Sequence, residues 1–301
     1  MRGVKWCVFN LLLEIPVPEA VANFSREGAM SNNPVIDSTS RPYNWRLLGI
    51  LVGAILASTI LVTPYALAIQ ADTLKTVKLP LPLSVLIPIQ WVGNTVLCGL
   101  LAGIGLAVAG RIGLGLPFLE GWLAGKPDWP YLRRFAWRAA LAGVLFTVAV
   151  LILEKWVFDP HLSAAFKQKL PHANVPLWRW FLASFYGGVT EETTLRLFLL
   201  SVLAWLGRFM NRTAEGRPGL WALWIANIVA AILFGLGHLP AFMTIGVPID
   251  ALVIVRAIVL NGLGGLVFGW FFWTYGLEAA MVSHFSADLA LHVFWPLLAG
   301  R

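Results

Sequence analysis

From residue 47 onward the chain is a succession of apolar runs, each long enough to cross a bilayer. Spanning roughly 30 Å of hydrocarbon takes about 20 helical residues. Seven runs meet that length, at 47–69, 84–109, 136–157, 177–206, 220–244, 251–275 and 277–298. None has the two-residue alternation of a membrane β-barrel strand. A backbone in lipid must satisfy its own hydrogen bonds, and a helix does so within one segment. The expected fold is therefore all-α: a polytopic transmembrane helical bundle of about seven helices, eight at most. Composition agrees, with 58% of the 301 residues hydrophobic and 12% charged. Soluble domains carry about a quarter charged residues, so a soluble globule, a disordered chain and a fibrous repeat are excluded.

The net charge of +7 is scattered between apolar runs and reads as a topology signal. No nucleic-acid partner is expected. Cys7 and Cys98 stand far apart, which excludes a disulfide framework or a zinc ribbon. Residues 1–46 differ from the rest and are expected to be a polar, disordered segment, with Met30 as an alternative start. Residues 47–301 form the expected bundle. The stretch 111–137, with its Gly, Pro, Trp and paired Arg133–Arg134, suits an interfacial loop or amphipathic segment. Trp178, Trp180, Trp221, Trp224, Trp270 and Trp273 lie near proposed helix ends, as interfacial aromatics do. With the N-terminus inside, thirteen basic residues face the cytoplasm against seven outside. That bias predicts a multi-pass protein with a cytoplasmic N-terminus, in the cell membrane if the source is prokaryotic.

Several charged or ionisable residues fall where lipid should be. They are Glu191, Glu192 and Arg196 in the fourth run, His238 in the fifth, Arg256 in the sixth, and His284, Asp288 and His292 in the seventh. Each mid-span charge costs about 2.5–3.5 kcal/mol on insertion scales, so such residues persist when they face a shared polar cavity. Glu192 and Arg196 are four apart and can pair on one helix face. Glu191 lies about 100° round from Glu192 and points elsewhere. His284, Asp288 and His292 share a second stripe, and Asn227, Phe234 and His238 a third. A carboxylate in such a site can serve as general base, with histidines to share a water or stabilise an oxyanion. No serine sits in a G-x-S-x-G setting, so water is the expected nucleophile in amide hydrolysis.

These residues also form three ordered motifs. Glu191-Glu192-Thr193-Thr194-Leu195-Arg196 fits E-E-x-x-x-R, Phe234-Gly235-Leu236-Gly237-His238 fits F-x-x-x-H, and His284-Phe285-Ser286-Ala287-Asp288 fits H-x-x-x-N/D. In that order, over about 177–298, the chain resembles the CAAX prenyl protease type II family, also called CPBP or Abi, which includes lysostaphin-resistance-like proteins. The resemblance implies an intramembrane endopeptidase of the glutamate type. Glu191 would be the general base, polarising water with His238. His284 and Asp288 would form the oxyanion site, and Glu192 and Arg196 would support it through their ion pair. The CAAX proteases have Asn where this chain has Asp288. No cofactor is implied; the expected partners are membrane lipids and a membrane-associated peptide or protein, prenylated in the eukaryotic members.

Three other readings share these residues. Glu191, His238 and His284 are a mixed donor set that suits zinc. A non-enzymatic immunity or scaffold protein would use the cavity to hold a partner helix. A transporter would line a path with the same groups, although no inverted repeat is visible. Arg256 has no motif role and is expected to pair with Glu278 or Asp288, or to snorkel. His292 lies outside the motifs and reads as a satisfied polar residue.

Overall fold

The structure is a computed structural model and describes residues 43–169 and 175–300. The N-terminal segment, with Cys7 and Met30, and His172 lie outside the described residues. Among the described residues every regular element is helical, apart from one isolated bridge between Arg212 and Pro218. Five helical stretches are long and apolar enough to cross a membrane: Trp45–Ile69, Leu83–Arg111, Trp129–His161, Leu220–Thr244 and Ala251–Tyr275. The remaining two runs are also helical, but they carry the charges. The all-α polytopic bundle expected from hydropathy is what the chain forms.

In chain order, α1 (Trp45–Ile69) is followed by the short α2 (Ala71–Thr76), then α3 (Leu83–Arg111), α4 (Pro117–Leu123) and α5 (Trp129–Leu153). Asn44 and Asp128 cap α1 and α5 by accepting from the Leu47 and Tyr131 amides. Such caps satisfy donors that a helix start leaves unpaired. The third span thus starts at Trp129, ahead of the expected 136, and Arg133, Arg134 and Arg138 sit in the first turns of α5. Long basic side chains at a helix end keep their heads in the polar interface, so they do not terminate a span. A stripe on α3, Ile89, Val92, Val96, Leu100 and Ile104, is about half exposed and faces outward at helical spacing. In a bilayer that is the lipid face.

After α6 (Ala164–Lys169), α7 (Leu177–Phe185) continues without a break through two π-helical segments, Tyr186–Glu191 and Thr193–Leu200, into α8 (Ser201–Gly207). π-Turns are rare and cluster at functional sites; here they span the whole E-E-x-x-x-R motif. α9 (Leu220–Gly237) stops at His238, which begins α10 (Leu239–Thr244). α11 (Ala251–Tyr275) and α12 (Leu277–Leu289) are separated by Gly276, whose φ of 91° lies in the left-handed region open to glycine. α12 runs on through the π-turn Ala290–Phe294 into α13 (Trp295–Leu298).

Small residues allow the close approaches that bring the polar edges together. A Cβ on Gly265 would lie 2.8 Å from Ala231 Cα, so α9 and α11 cross nearly backbone to backbone. Such small-residue crossings are the usual adhesive of membrane helices. At the α5–α12 crossing a Cβ on Gly143 would overlap the Ser283 carbonyl, and Thr147 donates to the Ala287 carbonyl at 3.0 Å. The π-helical segments are thereby enclosed by α1, α3, α9, α11 and α12.

Arg256 does not pair with Glu278 or Asp288. Its Nε donates to Glu154 Oε2 at 2.8 Å, while its guanidinium lies over Phe166. Glu154 begins the π-turn Glu154–Phe158 that follows α5, so the pair ties the end of that span to α11. Glu278 instead accepts from the Leu119 amide at 2.9 Å and fixes the start of α4.

Candidate active site

The site is assembled around His284. Its Nδ1 lies 2.7 Å from Glu192 Oε1, a charge-assisted hydrogen bond that joins the first motif to the last. Glu192 is also 3.1 Å from Arg196 Nη1, and both side chains are essentially inaccessible, at 0% and 1% exposure. Arg196 in turn donates to the Gly265 carbonyl at 3.3 Å and lies against the faces of Phe234 and Phe268. A buried cation held this way is desolvated yet partnered on three sides, by carboxylate, carbonyl and aromatic faces.

The same two rings hold the imidazole. Phe268 stacks on His284 at 4.5 Å with 16° between planes, and Phe234 meets its edge at 5.7 Å. With Nδ1 committed to Glu192, Nε2 is the ring nitrogen turned toward the other two carboxylates. It lies 3.9 Å from Glu191 Oε2 and 3.7 Å from Asp288 Oδ1. Both distances exceed a direct hydrogen bond and suit a water lying between. Glu191 is the more accessible glutamate, with 29% of its side chain exposed against none for Glu192.

Gly187 forms the floor of this space, since a Cβ there would overlap Asp288 Oδ2 and come within 3.1 Å of His284 Nε2. Behind it, Ser58 and Thr190 hydroxyls meet at 2.6 Å, joining α1 to the π-helical turn. Tyr186, at the start of that turn, donates to Asn94 on α3 at 3.3 Å. His292 stacks on Trp180 at 4.3 Å with 10° between planes, and Tyr65 packs on the same indole. Trp180 is therefore buried inside the bundle, not interfacial.

Of the six residues selected by motif, five converge: Glu191, Glu192, Arg196, His284 and Asp288. His238 stands one ring away. Its Nδ1 is 2.8 Å from the Phe234 carbonyl, its ring packs on Phe234, and no ring nitrogen comes within 4.0 Å of the Glu191 carboxylate. Among the described residues no group of three or more His, Cys, Asp or Glu is arranged to hold a metal ion. Phe268 and Gly187 belong to no motif. Their signal was only position, Gly187 four residues before Glu191 and Phe268 one turn beyond Gly265.

No curated protein and no solved structure matches the chain. Residues 173–290, from just before α7 to the end of α12, match the family model described as type II CAAX prenyl endopeptidase, Rce1-like. That match covers all six motif residues. Over those residues the chain is similar to the type II CAAX prenyl endopeptidase family that its three motifs resemble.

Proposed function

We propose that the protein is an intramembrane endopeptidase that hydrolyses a peptide bond of a membrane-associated protein by glutamate-activated water. One observation carries this reading: His284 Nε2, Glu191 and Asp288 face one small space at separations that suit a shared water. Glu191 takes a proton from that water as its oxygen attacks the scissile carbonyl carbon. The carbonyl oxygen becomes an oxyanion, and the amine later leaves with a proton returned by Glu191.

Because Nδ1–H of His284 is committed to Glu192, Nε2 can donate to the oxyanion only when the ring carries both protons. Glu192, held by Arg196, supports that form and fixes the ring plane. Asp288, when ionised, holds the imidazolium; when neutral, it adds a second donor. Nδ1–H of His238 is directed at the Phe234 carbonyl, so His238 braces the Phe234 wall of the site from one ring away. No cofactor enters this scheme. The substrate is anchored in or on the membrane, either prenylated or with another apolar anchor. The basic-residue bias favours a cytoplasmic N-terminus.

The test compares protein termini in membranes from cells with the wild-type chain and with Glu191→Gln, with and without a chelator. The reading predicts a set of new termini that vanishes with Glu191→Gln and survives metal removal. Termini that are identical in the variant point to a scaffold and contradict the peptidase. Termini lost on chelation, and restored by zinc, contradict the metal-free scheme.

A further inference from the structure

Of the five tyrosines in the chain, four have their hydroxyls engaged. Tyr43 donates to the Gly103 carbonyl at 3.0 Å, Tyr131 to the Tyr275 carbonyl at 2.7 Å and Tyr186 to Asn94 at 3.3 Å. Tyr275 accepts from Arg138 at 3.4 Å. Tyr65, half-buried on α1, is the exception: its hydroxyl makes no hydrogen bond among the described residues. A tyrosine turned into a bundle usually finds a partner for that group, so the direction of the hydroxyl matters.

Two contacts fix that direction. Ser58 and Tyr65 are seven residues apart on α1, two turns along nearly one face. Ser58 meets Thr190 at 2.6 Å, and the Tyr65 ring lies 4.4 Å from that of Trp180. α1 therefore runs antiparallel to α7 and its π-helical continuation, with Gly187 between the two contacts. Side chains on a helix lean toward its N-terminus, so the phenol comes back from the level of Trp180 toward that of Gly187. α12 gives the same bearing. His292 stacks on Trp180, and one turn back along the helix stands Asp288. Asp288 and Glu191 are the two groups whose charge acts on the Tyr65 hydroxyl. From the α1 side, the phenol thus faces the space shared by Glu191, Asp288 and His284 Nε2.

That space is edged by two carboxylates and an imidazole that can donate to an oxyanion only as imidazolium. An ionised Asp288 would repel the developing charge. A phenol, with an ordinary pKa of about 10, keeps its hydrogen at neutral pH and donates without a change of charge. We propose that Tyr65 is a further catalytic residue, whose O–H donates a hydrogen bond to the oxyanion formed at the scissile carbonyl. No proton is transferred. The O–H bond stays intact, and the hydrogen bond is strongest while the carbonyl oxygen carries its negative charge. This role rests on the peptidase reading; the placement of the hydroxyl does not.

Tyr65→Phe keeps the ring against Trp180 and removes only the hydroxyl. In proteoliposomes its rate of Glu191-dependent terminus production should fall about 100-fold, the loss typical of one oxyanion donor, with thermal unfolding unchanged. A second measurement needs no turnover. 3-Fluorotyrosine placed at residue 65 of the full chain should give a fluorine resonance that shifts with Glu191→Gln and with Asp288→Asn. A ring that merely packs on Trp180 would register neither change. A Tyr65→Phe rate within threefold of the wild type, or a resonance indifferent to both substitutions, would overturn the proposal. If Tyr65→Phe does not fold, the resonance alone decides. Normal turnover by Tyr65→Phe beside an active wild type would end this assignment and spare the peptidase reading. A wild type without Glu191-dependent termini would end both.

Discussion

Gly187→Ala is expected to lower the rate of terminus production at least ~100-fold while leaving the protein folded, because catalytic groups displaced by an ångström lose about that much. The new Cβ would overlap Asp288 Oδ2 and crowd His284 Nε2, so Asp288 must swing out of the shared space. Within a helix the same change is intrinsically favourable by up to about 1 kcal/mol, so a loss of stability is not the expected cause. Rate measurements in proteoliposomes and thermal unfolding in detergent check both halves. An active Gly187→Ala protein would mean that the chemistry does not use the space between Asp288 and His284.

Arg196→Met carries the second large effect, and it acts on stability. Removing the guanidinium leaves the Glu192 carboxylate fully buried with its ion partner gone, and Glu192 Oε2 already has no hydrogen bond. Breaking a buried pair from one side costs about 3–5 kcal/mol. The double variant Glu192→Gln/Arg196→Met should recover most of that loss, because no unpaired charge remains. Activity should not recover with it. His284 Nδ1 would have lost its carboxylate, and removal of such an orienting partner typically costs about 10–100-fold. Unfolding curves and terminus production, measured on the two variants, separate these roles. If the double variant regained activity along with stability, the Glu192–His284 bond would be structural only.

What was legible beforehand follows from the range of the interactions. Hydropathy located the spans, since a bilayer imposes length and polarity on each segment by itself. Spacing of four residues predicted the Glu192–Arg196 pair and the common face of His284 and Asp288, because both are properties of a single helix. The Glu192–His284 hydrogen bond joins residues 92 apart and depends on how α12 crosses the π-helical segments. No local pattern encodes it. The π-turns themselves were hidden for a related reason: apolar periodicity reports which residues face lipid, and a widened turn changes that only slightly. The start of α5 was misplaced because Arg133, Arg134 and Arg138 resemble loop charges until their chains are allowed to reach the interface.

Phe234 shows where motif and packing meet. Its ring touches Arg196, His238 and His284, so the aromatic of F-x-x-x-H is a wall shared by three ionisable groups. Arg256 shows the reverse case, an intramembrane charge whose partner, Glu154, lies 102 residues away on the extension of α5. It serves the bundle, not the site.

The most direct trial of a water-filled site is an experimental density map of the protein in lipid nanodiscs, at a resolution that shows ordered solvent. We expect a solvent peak within about 3.2 Å of both Glu191 Oε2 and His284 Nε2, the range of a real hydrogen bond, with Asp288 on its far side. A lipid chain or a packed side chain filling that volume, or Glu191 turned away from His284, would contradict glutamate-activated hydrolysis.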